Sequence, residues 1–405
     1  MTGVQTCALP IFGDLQARTQ SPKLALVTHG EAIQSARELY RRHPDQKEGR
    51  LLLGELLIAI AQKQRASDDL LPSQANAHEG LAIIEKVWAD SPNDPYLTFA
   101  VSAAQGTVGM TEGRLGNLET ALEFYRQGVE TGERAVELQQ GGPEYLRSLL
   151  ISYSHVGDVL GNPLIPNLGR PEQAVEPFEK MLAMAREIYK TDPLDVRAAS
   201  DVAITQYRLA AVLPASRAAE RRALLESSEK MLEQQLARAP GNLTTQTNMA
   251  NVKSLLGDYH STAGAGAQAV QHYREAVALA EQVLPKSNVA AVVTLLRSGV
   301  QMALLQSGGG QPREALALLD RLAPVAQKEA ERLEGQPLSG DDIIGGRAWQ
   351  PRLAAAYSTV HAALGDRQTS DQWRAKALAG WQALAAKPGF DARLRREMDT
   401  LAASR

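Results

Sequence analysis

The residues that could do chemistry in this 405-residue chain are few and scattered. Residues 308–313, Gly-Gly-Gly-Gln-Pro-Arg, form a glycine-rich run of the kind that can cradle a phosphate. A phosphate-binding loop follows a strand and ends in Gly-Lys-Ser/Thr, because the lysine and the hydroxyl must reach the phosphates and the magnesium ion. This run has neither feature, so its composition predicts a flexible turn.

Histidines and acidic pairs offer no better site. The histidines are spread over different parts of the chain, and none is paired with a second histidine or a carboxylate at ligand spacing on a recurring helix face. The pair Asp341-Asp342 has no base, nucleophile or metal ligand nearby in sequence, which predicts solvated loop charge or an N-cap for a helix from Ile343 onward. We therefore predict no catalytic residue, no cofactor and no metal. The histidines are His29, His43, His78, His155, His260, His272 and His361.

Composition narrows the class of partner. Hydrophobic residues make up 44% of the chain and aromatic residues only 5%, which is typical of an all-helical protein that packs small side chains closely. The 43 basic and 46 acidic residues are interleaved, so a nucleic-acid surface is not predicted. The longest apolar run, Leu51–Ala61, contains Glu55 and is too short to span a bilayer. We expect a protein or peptide partner, with no nucleic acid and no membrane insertion.

The first twelve residues differ in character from the remaining chain. Residues 4–11, Val-Gln-Thr-Cys-Ala-Leu-Pro-Ile, back-translate as GTT CAG ACG TGT GCT CTT CCG ATC, which matches a common sequencing adapter read in frame. We predict that residues 1–12 are a non-native artefact, that Cys7 is not a native thiol, and that the natural start is missing. The alternative is an ordinary disordered N-terminus. A cytoplasmic location is expected, although a targeting signal would stand in the missing part.

The remaining chain shows a recurring pair of helices. Apolar residues at helical spacing alternate with proline and glycine stops, and residues 143–193 show the plan best. We predict a remnant helix of a truncated unit over 13–45, helical repeats over 46–334, a loop over 335–346, and a last helix pair with a capping helix over 347–405. We also predict that Trp88, Trp349, Trp373 and Trp381 pack in the core.

Small residues at fixed spacing predict where the helices cross. Each second helix carries a small residue, an apolar one four positions later and another three after that, which share one helix face. The first helices add a glycine at the crossing. A fourth pair around Ala219 fits this pattern poorly. The predicted anchors are Gly109, Ala121, Tyr125, Gly157, Ala174, Phe178, Gly257, Ala269, Tyr273 and Ala315.

These features resemble the tetratricopeptide repeat (TPR), with small crossings at Gly157 and Ala174, an aromatic at Phe178, a turn glycine at Gly169 and a closing Pro193. The resemblance covers roughly residues 25–400 and implies an all-α, right-handed α-solenoid of about seven helix pairs. Successive anchors lie about 44 to 55 residues apart, against 34 in the family. The longer spacing indicates lengthened helices and insertions, and the fold leaves the partner open.

One elbow has a narrower resemblance. Asp-Val-Leu-Gly-Asn-Pro-Leu-Ile-Pro-Asn-Leu-Gly, residues 158–169, resembles a stretch in the C-terminal repeat region of certain bacterial eukaryotic-like serine/threonine protein kinases. In those proteins a kinase domain precedes the repeats. The present sequence has no glycine-rich loop followed by an ordered lysine, no His-Arg-Asp and no Asp-Phe-Gly, which phosphoryl transfer needs. The resemblance therefore implies a non-catalytic C-terminal region of a parent kinase.

The partner surface is predicted from solenoid geometry, in which the first helices line the concave side. Their polar residues are the expected contacts, with ordinary solvated positions as the alternative. The dense Lys/Asn pattern of a carboxylate clamp is missing, so a generic binder of peptide termini is not predicted. The candidates are Ser154, Asp158, Asn251, Ser254 and Asp258.

Three hypotheses follow. The first is a protein-interaction or sensory region from the C-terminal part of a bacterial serine/threonine kinase. The second is a free-standing repeat adaptor or assembly factor. The third is a lyase or hydrolase in a helical toroid, which would need several inward carboxylates or histidines at matching depths that the sequence does not show.

Overall fold

The computed structural model describes residues 22–43, 45–140, 142–284, 289–336, 338–387 and 392–403. Every regular element within these ranges is a helix. The predicted artefact over 1–12, with Cys7, and the first part of the predicted remnant helix lie outside them. The chain forms two compact units, one up to Val159 and one from Leu160 onward.

The first unit is built from long helices. Consecutive helices pack against each other, and the apolar core follows their shared faces, as in Ile58, Leu81, Ile84 and Val101. Their bounds are α1 Pro22–Arg42, α2 Lys47–Ala66, α3 Leu70–Ala89, α4 Pro95–Leu115, α5 Leu118–Leu138 and α6 Pro143–Gly161, of which α6 ends just beyond this unit.

The second unit repeats the plan. One of its core clusters joins Tyr273, Leu319, Leu322, Trp349 and Tyr357. The bounds are α7 Pro171–Thr191, α8 Val196–Val212, a 3-10 turn Ala215–Arg217, α9 Ala218–Arg238, α10 Leu243–Thr262, α11 Gly266–Val283, α12 Val289–Gly308, α13 Pro312–Arg332, α14 Gly340–Ile344, a 3-10 turn Gly346–Ala348, α15 Trp349–Ala363, α16 Arg367–Ala385 and α17 Ala392–Ala403. The predicted all-α fold of TPR-like helix pairs is confirmed.

Glycine–tyrosine contacts make two of the crossings. A Cβ added at Gly257 would lie 2.5 Å from the ring of Tyr273, and one at Gly109 would lie 2.5 Å from the ring of Tyr125. No side chain fits between them, so each glycine lets the tyrosine of the next helix lie against its backbone. All of the predicted anchors are buried.

The tryptophans take two kinds of position. Trp349 and Trp381 are buried. Trp88 and Trp373 are half-buried: the indole Nε1 of Trp88 donates to Thr98 Oγ1 at 3.0 Å, and Trp373 stacks on Tyr357 with ring centroids 4.4 Å apart.

The stretch 335–346 differs from the predicted loop. It contains α14, whose N-cap is Ser339, and the Asp342 side chain accepts from the Ser339 N–H in a capping box. The prediction of solvated charge at Asp341 and Asp342 is wrong, because both side chains are buried. Arg347 folds back onto Asp342 at 2.6 Å, and Arg332 approaches Asp341 at 3.2 Å. Two arginines therefore compensate the charge of the buried carboxylates. The prediction considered only bases, nucleophiles and metal ligands as neighbours of the acidic pair, so it missed these arginines.

The helix pair around Ala219 departs from the predicted crossing pattern. In α9, Ala219 is exposed, and the buried small residue is Ser228, which donates to the main-chain oxygen of Ala203 at 2.7 Å. A serine can make a close crossing because its hydroxyl finds an acceptor on the neighbouring helix.

Candidate functional site

The elbow between α6 and α7 is ordered by its own asparagines. The side chain of Asn167 donates to the main-chain oxygens of Asn162 and Ile165, at 2.6 and 2.7 Å, and accepts from the Gly169 N–H at 2.9 Å. Asn162 and Asn167 are both 2% exposed. Gly169 has φ +69°, a left-handed conformation that glycine adopts without strain. Residues within the elbow therefore supply many of the hydrogen bonds that order it.

The C-terminal helix α17 holds this elbow from outside. The guanidinium of Arg393 donates from Nη1 to the main-chain oxygen of Asn167 at 2.7 Å. Arg396 lies one turn further along α17, and its Nη2 would be 3.6 Å from a Cβ added at Gly169. The elbow and α17 are thus adjacent, although they are far apart in sequence.

A cavity of about 700 Å³ lies in the second unit beside this contact. Pro163 of the elbow, helices α12, α15 and α16, and helix α17 all contribute to its wall. Apolar wall residues include Val300, Trp349, Trp381 and Leu401. The volume and the mixed lining fall in the range of sites that bind small molecules or parts of a peptide.

Arginines dominate the charge of this wall. Four of its residues are Arg297, Arg352, Arg393 and Arg396, and the acidic residue among them is Glu397. The wall is therefore electropositive, although the whole chain carries a formal charge of −3. A site of this kind attracts carboxylates or phosphates.

Two predicted candidates, Ser254 and Asp258, contact one of these arginines. Arg297 donates from Nη1 to Ser254 Oγ at 2.8 Å and forms an ion pair with Asp258. Burial opposes the charge of Arg297, but Asp258 outweighs that effect and raises the pKa of the guanidinium. The interactions with Ser254 and Asp258 therefore hold the Arg297 guanidinium in place.

A third candidate, Asn251, forms a hydrogen bond with α12, the helix that carries Arg297. Its Oδ1 accepts from Thr294 Oγ1 at 2.6 Å, and both side chains are buried. Ser254 is fully buried and also bonds Ser298 at 2.9 Å, whereas Asp258 accepts from Tyr273 OH at 2.6 Å. These residues hold α10, α11 and α12 together.

Arg352 is held in a different way. It makes two hydrogen bonds with Glu397, from Nε at 2.8 Å and from Nη2 at 2.7 Å. Its guanidinium also lies over the rings of Trp349 and Trp381, at 5.1 and 6.0 Å from their centroids. The bidentate pair joins α15 to α17 on the cavity wall.

The other two candidates, Ser154 and Asp158, lie on α6 in the first unit. Both are buried, and Ser154 Oγ is 3.4 Å from Asp158 Oδ2. Their role in partner contact stays a prediction.

Sequence reasoning missed the cavity arginines. No short motif joins Arg297 to Arg352 or Arg396. One available signal was the composition of residues 393–396, Arg-Leu-Arg-Arg, in a helix predicted only as a cap. Helical periodicity places such residues on a surface but does not identify the opposing helix.

Other chemistry-bearing groups remain separate. His260 and His272 stack with centroids 5.1 Å apart, and His78 lies 2.7 Å from Glu112. Across the described residues, no three His, Cys, Asp or Glu side chains are grouped as a metal site. Among the described helices, none has the length and apolar character needed to cross a membrane.

Comparison with known proteins gives one family match. Residues 243–288 match the model of the tetratricopeptide repeat, and this segment includes α10 and α11. The match covers 46 of the 405 residues. A search of curated proteins found no match.

Several solved structures are similar along most of the chain. A Rap protein complexed with competence and sporulation factor is 12% identical, with 99% of this chain and 98% of that chain covered and a TM-score of 0.48. The apo form of RapI is 11% identical, with 94% and 98% covered and a TM-score of 0.49. The apo quorum sensor NprR from B. thuringiensis is 14% identical, with 96% and 99% covered and a TM-score of 0.46.

Proposed function

We propose that this chain is a non-catalytic interaction scaffold, and that its second unit binds a segment of a partner protein in the cavity beside the elbow. The observation that carries the proposal is the cavity of about 700 Å³, whose wall joins apolar side chains to arginines held by neighbouring groups. Apolar area supplies affinity and fixed polar groups supply orientation, which is the usual division in a binding site.

Arginine side chains of the cavity wall are held in fixed positions, which favours binding of a defined segment. Arg297 is held by Ser254 and Asp258, and Arg352 is held by Glu397. Side chains that are already in place lose little conformational entropy when a partner binds. The elbow adds a rigid edge, since Asn167 is bonded on both its donor and its acceptor side.

A cavity-filling variant tests this proposal. Ala355 lines the cavity and is half-buried, so Ala355→Trp should occupy part of the volume and abolish capture of binding peptides from an immobilised array of random dodecapeptides. Ala219→Trp, at an exposed position on α9, is the matched control and should bind like the parent chain. Unchanged peptide capture by Ala355→Trp, with an unchanged melting temperature, would reject the cavity as the binding site.

The predicted polar residues enter this proposal as supports. We propose that Asn251, Ser254 and Asp258 act on the partner through the position of Arg297. An Asn251→Ala, Asp258→Ala double variant should then weaken peptide capture. We propose Ser154 and Asp158 as a separate contact in the first unit. If Asp158→Ala recovers as much partner protein as the parent chain, this contact is rejected.

The parent protein is a finer proposal. We propose that the chain is the C-terminal TPR region of a bacterial serine/threonine protein kinase, supported by the resemblance of residues 158–169 to a stretch in such proteins. The alternative is a free-standing TPR adaptor. Reading the gene upstream of Phe12 in an intact copy separates the two: a kinase domain ending within a few dozen codons supports the first, and a start codon there eliminates it.

A further inference from the structure

The elbow and α17 meet at an electropositive corner of the cavity. We propose that the cavity selects an acidic partner segment, whose Asp or Glu side chains meet Arg396 and Arg393 while its apolar side chains pack on Val300 and Leu401. This inference rests on the proposed binding function and names the chemistry of its partner.

The first argument is the positive charge of the cavity wall. Four arginines and one glutamate line the cavity. Asp258 balances Arg297 from behind and Glu397 balances Arg352, so the excess positive charge is concentrated on α17. Bringing a basic segment to this corner would place like charges together, whereas an acidic segment complements it.

Arg396 supplies the second argument. Its side chain is exposed on the cavity wall, and its guanidinium makes no hydrogen bond or ion pair with any residue that the structure describes. A guanidinium carries five N–H donors in a planar fork that matches a carboxylate. An incoming carboxylate can therefore bind Arg396 without displacing a ligand within the chain.

The apolar part of the wall supplies the third. Val300, Trp349 and Leu401 give one side of the cavity an apolar surface, on which the apolar side chains of a bound segment can pack. It also favours a segment that alternates acidic and apolar side chains over a free inorganic anion. Because residues 251–258 lack a dense Lys/Asn clamp, we assign recognition to acidic side chains and not to a chain terminus.

Three blocked peptides test this inference by calorimetry with the full chain. The acidic probe is acetyl-Glu-Glu-Leu-Glu-Glu-Leu-amide, the neutral probe replaces each Glu with Gln, and the basic probe replaces each Glu with Lys. Blocked ends confine the charge to side chains. We expect the acidic probe to bind at least about tenfold more tightly than the neutral one, and its affinity to fall several-fold between about 0.05 and 0.5 M salt.

Substitutions locate the effect. Arg396→Ala should weaken binding of the acidic probe by about fivefold, and Arg396→Glu should weaken it by about tenfold or more. Binding of the neutral probe should be unchanged in both variants. The matched control is Arg222→Ala, an exposed arginine on α9 of the same unit. Arg396 is exposed, so neither change should unfold the chain, and thermal melts check this.

The outcomes are distinct. Equal binding of the three probes, all lost in Ala355→Trp, would overturn the acidic preference and leave the proposed cavity in place. Acidic-probe binding that is unaffected by Arg396→Glu would overturn the assignment to this corner. Binding of inorganic phosphate or citrate as tight as that of the acidic peptide would contradict a peptide partner, and no binding of any probe or array peptide would contradict both proposals.

Discussion

Arg393 on the C-terminal helix donates a hydrogen bond of 2.7 Å to the main-chain oxygen of Asn167, which lies 226 positions earlier in the chain. Asn167 in turn organises the elbow through its side chain. The bond therefore ties the most distinctive stretch of the sequence to the last helix of the second unit. Arg393 lines the cavity, and so does Pro163, which lies in the same elbow as Asn167.

Removing this bond should loosen the elbow. A hydrogen bond to a charged group contributes about 1.5–3 kcal/mol, so Arg393→Ala should speed amide hydrogen exchange across residues 162–169 by about tenfold or more. Asp399→Ala, an exposed position on the same helix, is the control. Equal exchange in the two variants would show that the asparagines alone hold the elbow.

The crossing at Gly257 should tolerate no larger residue. Gly257→Ala places a Cβ 2.5 Å from the ring of Tyr273, and overpacking of this kind costs about 1–3 kcal/mol. Gly266→Ala in the next helix is a matched control, because no atom lies within 4 Å of its added Cβ, and it should stabilise the helix by up to about 1 kcal/mol. Urea unfolding of both variants measures the two free energies; a neutral Gly257→Ala would contradict the close crossing.

The buried pair of Asp342 and Arg347 should be structural. Both residues are buried, at 1% and 7% exposure, and the Arg347 Nε and Nη2 atoms donate to the carboxylate at 2.9 and 2.6 Å. Asp342→Ala leaves the guanidinium buried without this partner and should cost about 3–5 kcal/mol of unfolding free energy. Asp371→Ala, at an exposed site on α16, should stay within about 0.5 kcal/mol of the parent. Similar melting temperatures for the two variants would argue against the pair.

Glu112 should make the stability of the first unit depend on acid. Burial raises its pKa, but hydrogen bonds from His78, Asn117 and Gln74 together outweigh burial, so the pKa in the folded chain lies below its usual value. A carboxylate with a lowered folded pKa contributes stability above its unfolded pKa of about 4.3, and loses that contribution as the pH falls through the folded pKa.

Glu112→Gln tests this dependence. At pH 7 the variant should lose about 1–3 kcal/mol of unfolding free energy, and the gap to the parent should narrow as the pH falls below about 4. Denaturant titrations at pH 7 and pH 3.5 measure the gap. Glu123→Gln, at an exposed position on α5, is the control and should show no such change. A gap that stays constant with pH would exclude Glu112 as the titrating group.

Several features of this protein follow from local sequence alone. The 3.6-residue period and the proline and glycine stops determine the helices, because backbone conformation and amphipathic burial are short-range properties. The spacing of Gly257 and Tyr273 reflects a crossing between consecutive helices, and the asparagines of the elbow bond within ten residues of each other. Such contacts leave a signature in adjacent sequence.

The cavity was decided by tertiary structure. Arg297, Arg352 and Arg396 come from three helices, and their convergence depends on how the helices stack and not on any spacing along the chain. The same holds for Asp258, predicted as a partner contact and found bound to Arg297 and Tyr273, and for Asp342, predicted to be solvated and found buried against Arg347. A periodic pattern defines which face of a helix is apolar, but only packing selects the charge that lies opposite each polar side chain.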